Sequence, residues 1–216
     1  MFNSKRPALL ALLLAALPRA GGAQQSVDVT KMGYDRGMSG APILVVEFAD
    51  FGCSACGQFA RDVWPELQRE FVATGRVRWK YVPFILGMFP NGDEAVKAAE
   101  CAADQDAFWS MHDLLFQRQK EWNRLKDPGP KFAEFAGALS LDTTVFGRCY
   151  ETDGGAERTK QNDAAAKALM VRSTPTFFVN GQRALGALPI AEWRKIFALV
   201  EGRGTGSGPG TGSDGR

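Results

Sequence analysis

The sequence predicts an α/β fold, a mixed central sheet flanked by helices and interrupted by an all-helical insertion. Two apolar, strand-like runs at 42–50 and 77–81 enclose a helical pattern. Residues 91–172 then read as almost continuously helical. A β-rich run at 176–180 turns through Asn180-Gly181 into a second short strand and a final helix. Strands separated by helices need cover on both sheet faces, which makes the long helical block an insertion into an α/β layer.

The first strand, Pro42 to Asp50, is apolar on both faces apart from Glu47, as a central strand buried on both sides should be. A helix follows from about Cys53 to Thr74, and Pro65 inside it predicts a kink, because proline lacks an amide donor and crowds the preceding turn. Gly75 stops that helix. In the second strand Val77, Trp79 and Tyr81 alternate with Arg78 and Lys80. The helical block has breaks near Asp127 to Pro130 and at Ser140 to Leu141. The first two strands should form the parallel part of the sheet and the hairpin an antiparallel edge, with Pro189 to Val200 as the closing helix.

Domain boundaries follow. Residues 1–23 carry Lys5 and Arg6, the apolar run Ala8 to Leu17, then Pro18 and a small-residue stretch ending Gly21-Gly22-Ala23. That is the pattern of a secretory signal peptide cleaved after Ala23, with an uncleaved membrane anchor as the alternative. Residues 24–90 form the first part of the α/β domain, 91–172 the insertion, 173–201 the second part, and 202–216 a flexible Gly/Ser-rich tail. Export places the chain in an extracytoplasmic, for example periplasmic, compartment where disulfides persist. A net charge of +2 on 216 residues, with no basic aromatic patch, argues against a nucleic-acid partner.

Cys53-Ser54-Ala55-Cys56 lies where the first strand gives way to a helix. Thiols three positions apart share a face and fall within disulfide reach, and the free amides and positive dipole end of the helix favour the Cys53 thiolate. Cys53 is the candidate nucleophile and Cys56, one turn deeper, the resolving thiol. A zinc site would need ligands beyond Cys101, Cys149 and the lone His112, which form no second close pair, so no metal is expected. A purely structural disulfide in so short a loop would constrain little of the unfolded chain.

Three segments resemble the thioredoxin superfamily, and most closely the DsbA-like thiol-disulfide oxidoreductases. They are Val46 to Cys56, Ser173 to Gly181, and the helical segment Phe108 to Phe116, within a likeness that covers about residues 40 to 200. The resemblance implies a thioredoxin-like fold and a cis bond between Thr174 and Pro175 beside the cysteine pair. Thr174 and Pro175 would then form a substrate-binding loop for extended, reduced or unfolded protein substrates. The resemblance also suggests that Glu47, an acid costly to bury, assists proton transfer at Cys56; an acid reaching solvent from a strand end remains the alternative. Lys80 could pair with Glu47 from the neighbouring strand or be solvated. His112 belongs to an apolar helical pattern and should serve packing or an interhelix hydrogen bond, with Trp109, Phe116 and Trp122 as core.

Cys101 and Cys149 should form a structural disulfide, since an exported protein seldom keeps two stray thiols; two separate buried thiols are the alternative. The implied chemistry is thiol-disulfide exchange without nucleotide or metal cofactor, oxidising substrates and regenerated by a membrane redox partner. Ser54-Ala55 departs from the Pro-His of the best-known oxidase and leaves open a reductase or isomerase direction. A non-catalytic exported chaperone on the same scaffold is a third reading.

Overall fold

The computed structural model describes residues 27–204. The signal sequence read at 1–23, and the tail from residue 205 onward, lie outside the described residues. A single 3₁₀ turn, Val29–Lys31, leads into β1 (Tyr34–Arg36) and β2 (Ile43–Ala49). Then come α1 (Ser54–Asp62), α2 (Trp64–Leu67), a π-helical turn Gln68–Val72 and β3 (Val77–Pro83). The insertion comprises α3 (Gly92–Ala103), α4 (Phe108–Gln117), α5 (Gln119–Trp122), α6 (Gly129–Ala138), α7 (Thr143–Glu151) and α8 (Ala156–Ala168). β4 (Thr176–Val179), β5 (Gln182–Leu185) and α9 (Ile190–Gly204) complete the sheet and its cover. Among the described residues no helix is long and apolar enough to cross a membrane.

The five strands lie in the order β1-β3-β2-β4-β5. β2 and β3 are parallel, whereas β1, β4 and β5 join antiparallel to their neighbours. The parallel pair and the hairpin edge are therefore as the sequence implies. Asn180 and Gly181 both adopt positive φ, the backbone that a two-residue hairpin turn demands. The helix expected over 53–74 is instead three pieces. It breaks at Val63 (φ −118°), just ahead of Pro65 in the first turn of α2, and resumes with π geometry after Leu67. Proline is tolerated at a helix start, so the chain reinitiates there rather than bending through.

Alternation along the strands divides the core. Val45, Val77, Trp79, Phe177 and Val179 meet Phe59, Trp64, Leu67, Trp193 and Phe197 from α1, α2 and α9. On the opposite face Val46, Phe48 and Val82 meet Ala165 and Ala166 of α8. A third cluster runs from Phe51, Cys56 and Tyr81 into the insertion through Met111, Leu115, Phe116 and Trp122, so the insertion is packed onto the end of the sheet that bears the cysteines. His112 is buried in this cluster, its ring 4.5 Å from that of Tyr81 and 5.0 Å from that of Phe116. Its Nδ1 meets Asp113 Oδ1 at 2.8 Å, a partner on its own helix rather than a neighbouring one. Burial holds the imidazole below its ordinary pKa against the pull of Asp113, which fits a packing role.

Lys80 corrects both sequence expectations. It is only 2% exposed, yet it does not reach Glu47: its Nζ donates to Met32 O and to Asp35 Oδ2, each at 2.9 Å. Lys80 stands opposite Val46 in the register, so its side chain leaves the sheet on the face away from Glu47. Burial works against the Asp35 charge, but Arg78, which grips it in bidentate fashion, and Lys80 together hold its carboxyl below the ordinary range.

Cys101 on α3 and Cys149 on α7 form a disulfide spanning 48 residues of chain. Replacing both by alanine should destabilise the fold by about 2–4 kcal/mol, the scale of loop-closure entropy for a ring of that length. Urea unfolding of the Cys101→Ala/Cys149→Ala variant measures it.

Candidate redox site

Cys53 is the N-cap of α1, with extended backbone (φ −69°, ψ 123°), and its Sγ accepts from the Cys56 amide at 3.4 Å. Its carbonyl begins the helix by accepting from Gly57 N at 3.0 Å. The approach to the cap is held by Asp50, which follows β2. Asp50 O accepts from Cys53 N at 3.1 Å, Oδ1 from Gly52 N at 2.8 Å, and Oδ2 from Leu86 N at 3.0 Å. Cys53 is 3% exposed and Cys56 is fully buried. Both are free thiols in this structure.

The loop before β4 closes the other side. Thr174-Pro175 is a cis peptide, and the Cys53 thiol donates to Thr174 O at 3.5 Å. Pro175 O accepts from Gly186 N at 3.0 Å and Thr176 Oγ1 donates to Ser173 O at 2.7 Å, tying the loop to the hairpin. The Thr174 hydroxyl is buried without a hydrogen-bond partner. It lies close enough to Cys53 to favour a negative sulfur, although its geometry falls short of a formed bond.

The two thiols are electrostatically unequal. Hydrogen bonding from the Cys56 thiol is the largest influence lowering the Cys53 pKa to about 6; burial opposes it, and the Thr174 hydroxyl and the Cys56 and Ala55 amides add to it. Burial, followed by the Cys53 sulfur, pushes Cys56 well above the ordinary thiol range. At neutral pH the pair therefore holds one thiolate on Cys53 and one proton on Cys56.

Glu47 lies on the same sheet face as Trp79, 4% exposed, and accepts from Trp79 Nε1 at 2.8 Å. Burial raises its carboxyl to about 8 against the effect of that bond. Its charge, when present, adds to the rise at Cys56. The structure thus brings together Cys53, Cys56, Thr174, Pro175 and Glu47, while the Cys101–Cys149 disulfide belongs to the insertion.

Two polar residues at the site escape a reading of the sequence. Asp50 looks like an ordinary strand end. Gln119 is 4% exposed and donates through Nε2 to Phe51 O at 2.6 Å and Cys53 O at 2.9 Å. A polar residue facing inward in an otherwise apolar helical pattern was the available signal. Among the described residues no group of three or more His, Cys, Asp or Glu is placed to hold a metal. A groove of about 600 Å³ lined mainly by α3 and α8 includes neither Cys53 nor Cys56.

A family model described as thioredoxin matches residues 30–198. The chain belongs to the thioredoxin family. Within it, the chain is of the DsbA-like kind. It is 30% identical over 160 residues to the probable disulfide bond formation protein D of Bacillus anthracis, covering 68% of this chain and 70% of that protein. It is also 41% identical over 148 residues to the Na(+)/H(+) antiporter NhaA 3 of Salinispora tropica, covering 68% of this chain. There the match spans only 22% of the antiporter's length. Among solved structures, BdbD from Bacillus subtilis superposes with a TM-score of 0.71 at 21% identity, over 80% of this chain and 94% of that one. Wolbachia pipientis alpha-DsbA1 does so at 0.68 and 20%, over 89% and 96%. These two share the thioredoxin-family fold, inserted helices included.

Two measurements test the electrostatics. Iodoacetamide should alkylate Cys53 at a rate that levels off above about pH 7 and falls near tenfold per pH unit below about pH 5. Thr174→Val should slow it by roughly threefold to fivefold at pH 5.5 by withdrawing a donor. For Glu47, the folded chain keeps a proton between pH 4.5 and about 8 that the unfolded chain releases, so stability falls as pH rises through that window. Glu47→Gln should flatten this slope in urea unfolding of the reduced protein at pH 5 and pH 8.5.

Proposed function

We propose that this chain is an exported thiol-disulfide oxidoreductase that introduces disulfides into reduced protein substrates through Cys53 and Cys56. The observation that carries the reading is the inequality of the pair: one thiolate-forming sulfur against the Thr174-Pro175 loop and one protonated sulfur buried one helical turn on. Likeness to disulfide bond formation protein D supports the same direction.

The reaction begins with Cys53 and Cys56 joined as a disulfide. A substrate thiolate attacks Cys53 Sγ; the intramolecular S–S bond breaks and a mixed disulfide forms. Cys56 departs with the bonding electrons and takes a proton, for which Glu47, carrying one up to about pH 8, is the internal donor. A second substrate thiolate then attacks the substrate's own sulfur in the mixed disulfide. The substrate leaves as a disulfide, two electrons poorer, and Cys53 leaves as the thiolate that its surroundings stabilise. The Thr174-Pro175 loop holds the extended substrate during exchange, in the manner of strand addition. Two sulfurs and an internal acid suffice, without nucleotide or metal.

Regeneration requires an acceptor for the two electrons, and a membrane redox partner supplies it in this reading. The match to a segment of a sodium/proton antiporter is in keeping with a module that works at a membrane surface. The apolar run at 8–17 supports export by signal sequence or retention by an anchor.

A reductase or isomerase direction has its own support. A Cys53 pKa of about 6 lies closer to thioredoxin, at about 7, than to the strong oxidant DsbA, at about 3.5, and Ser54-Ala55 lacks a histidine that would lower it further. A less stabilised thiolate leaves the reduced form less favoured and the pair less oxidising.

Recovery of activity by a reduced, unfolded test protein measures the proposed function. Wild-type oxidised protein should restore it, and Cys53→Ala and Cys56→Ala, neither of which can form the intramolecular disulfide, should not; offered instead a test protein that carries disulfides, Cys56→Ala should displace one substrate sulfur with its Cys53 thiolate and remain in the mixed disulfide. Equilibration with glutathione fixes the direction: a potential near about −120 mV supports the oxidase and one near about −270 mV the reductase. Full activity in Cys53→Ala would sink the enzymatic reading altogether.

A further inference from the structure

We infer that Gln119, which belongs to the helical insertion, is a positioning residue for Cys53: its side-chain amide clamps the two carbonyls that flank the redox turn and so keeps the sulfur over the amides of α1. This rests on the thiol-disulfide reading of the pair and adds a residue to it.

The contacts are specific. One nitrogen, Gln119 Nε2, carries two hydrogens and meets two acceptors, Phe51 O at 2.6 Å and Cys53 O at 2.9 Å, across 68 and 66 residues of chain. The side chain is buried, and it packs so closely on Gly57 that a Cβ there would sit 2.4 Å from Gln119 Oε1. Gly57 has ordinary helical backbone, so the close approach of the amide, not the conformation, is what calls for a glycine. Gln119 is delivered by the break at Arg118 between α4 and α5. Beside it Arg61 of α1 donates to Phe116 O at 2.8 Å, a second tie between the same two regions.

The two carbonyls belong to the peptide planes on either side of the Gly52–Cys53 bond. Fixing both toward the insertion sets the backbone rotation at Cys53. With its oxygen turned to Gln119, the residue leaves its sulfur facing the Ala55 and Cys56 amides and the Thr174 hydroxyl. Each plane has one other hold, Gly57 N on Cys53 O and Asp50 Oδ1 on Gly52 N, and Gln119 adds the second; with only one, a carbonyl oxygen has more freedom to tilt toward the sulfur and repel its negative charge. The two amide hydrogens also neutralise the negative ends of carbonyl dipoles beside the thiolate. Both effects favour a charged Cys53, and both vanish with the amide donor.

Gln119→Met retains length and bulk and removes the donor; Gly57→Ala retains the glutamine and displaces its amide. For each, the ultraviolet absorbance of the Cys53 thiolate across pH, and the equilibrium constant with glutathione, are compared with wild type, with circular dichroism as the check on folding. Both variants should hold less thiolate at pH 6 and shift the glutathione equilibrium by about fivefold toward the oxidised pair, the scale of one hydrogen bond to a charged or buried group. A folded Gln119→Met with the wild-type titration and equilibrium overturns the inference, even if its thermal stability falls. Should Gln119→Met fail to fold, Gly57→Ala decides: a shift supports the clamp and an unchanged titration overturns it. The titration reads Cys53 without any substrate, so a wild-type protein inactive in exchange would overturn the enzymatic reading and leave the clamp judged on its own measurement.

Discussion

A sulfur caps the first helix. Helix N-termini are ordinarily capped by side-chain oxygens, which accept an otherwise unpaired amide at a value of about 1 kcal/mol. In α1 the acceptor is Cys53 Sγ, with the Cys56 amide as donor. A neutral thiol is a weak acceptor, whereas a thiolate is a strong one. The cap is therefore strongest in the reduced, ionised state. Whatever energy the cap contributes to α1 is the same energy that lowers the Cys53 pKa, so helix stability and sulfur reactivity are one quantity seen from two sides. Asp50, Gln119 and the Thr174 loop all act by keeping that sulfur in its capping position.

A second constraint governs the interior. β2 and β3 carry a buried acid and a buried base one register step apart, and a salt bridge between them would be the simple way to neutralise both. The pleat prevents it. Glu47 faces α1 and bonds to Trp79, while Lys80 faces α8 and bonds to Asp35 and Met32 O. A Glu47 paired with lysine would remain charged to low pH and have no proton to offer. By giving Lys80 a separate partner, the fold leaves the acid below the cysteines neutral at physiological pH.

Much of this was readable from local pattern. The run Ile43 to Ala49, the spacing of Cys53 and Cys56, and the Asn180-Gly181 turn each carry their meaning within a few residues. β1 was not readable: Tyr34-Asp35-Arg36 is three half-exposed residues with no apolar alternation, and it becomes a strand only because β3 offers an edge. The breaks at Asp104–Ala107 and Arg118 lie within a continuous apolar rhythm and carry neither glycine nor proline; the one at Thr152–Gly155 carried a Gly-Gly signal that the rhythm obscured. Gln119 is the instructive case. Its inward place in the apolar rhythm marks it as unusual, but its partners lie more than sixty residues away, so nothing local says what it holds. Lys80 shows the same limit, since its partner Asp35 belongs to the strand that could not be seen.

The margins of the sheet have a consequence for how the molecule meets other chains. Both outer strands are stubs, β1 of three residues and β5 of four. Trp109 donates to Asp35 O and Arg36 stacks over the Trp109 ring, roofing one border, while Arg183 leans over Phe178 at the other. Long open borders invite foreign strands to pair and seed aggregates, and short, charged ones discourage it. The sheet thus offers a foreign chain little open border on which to pair.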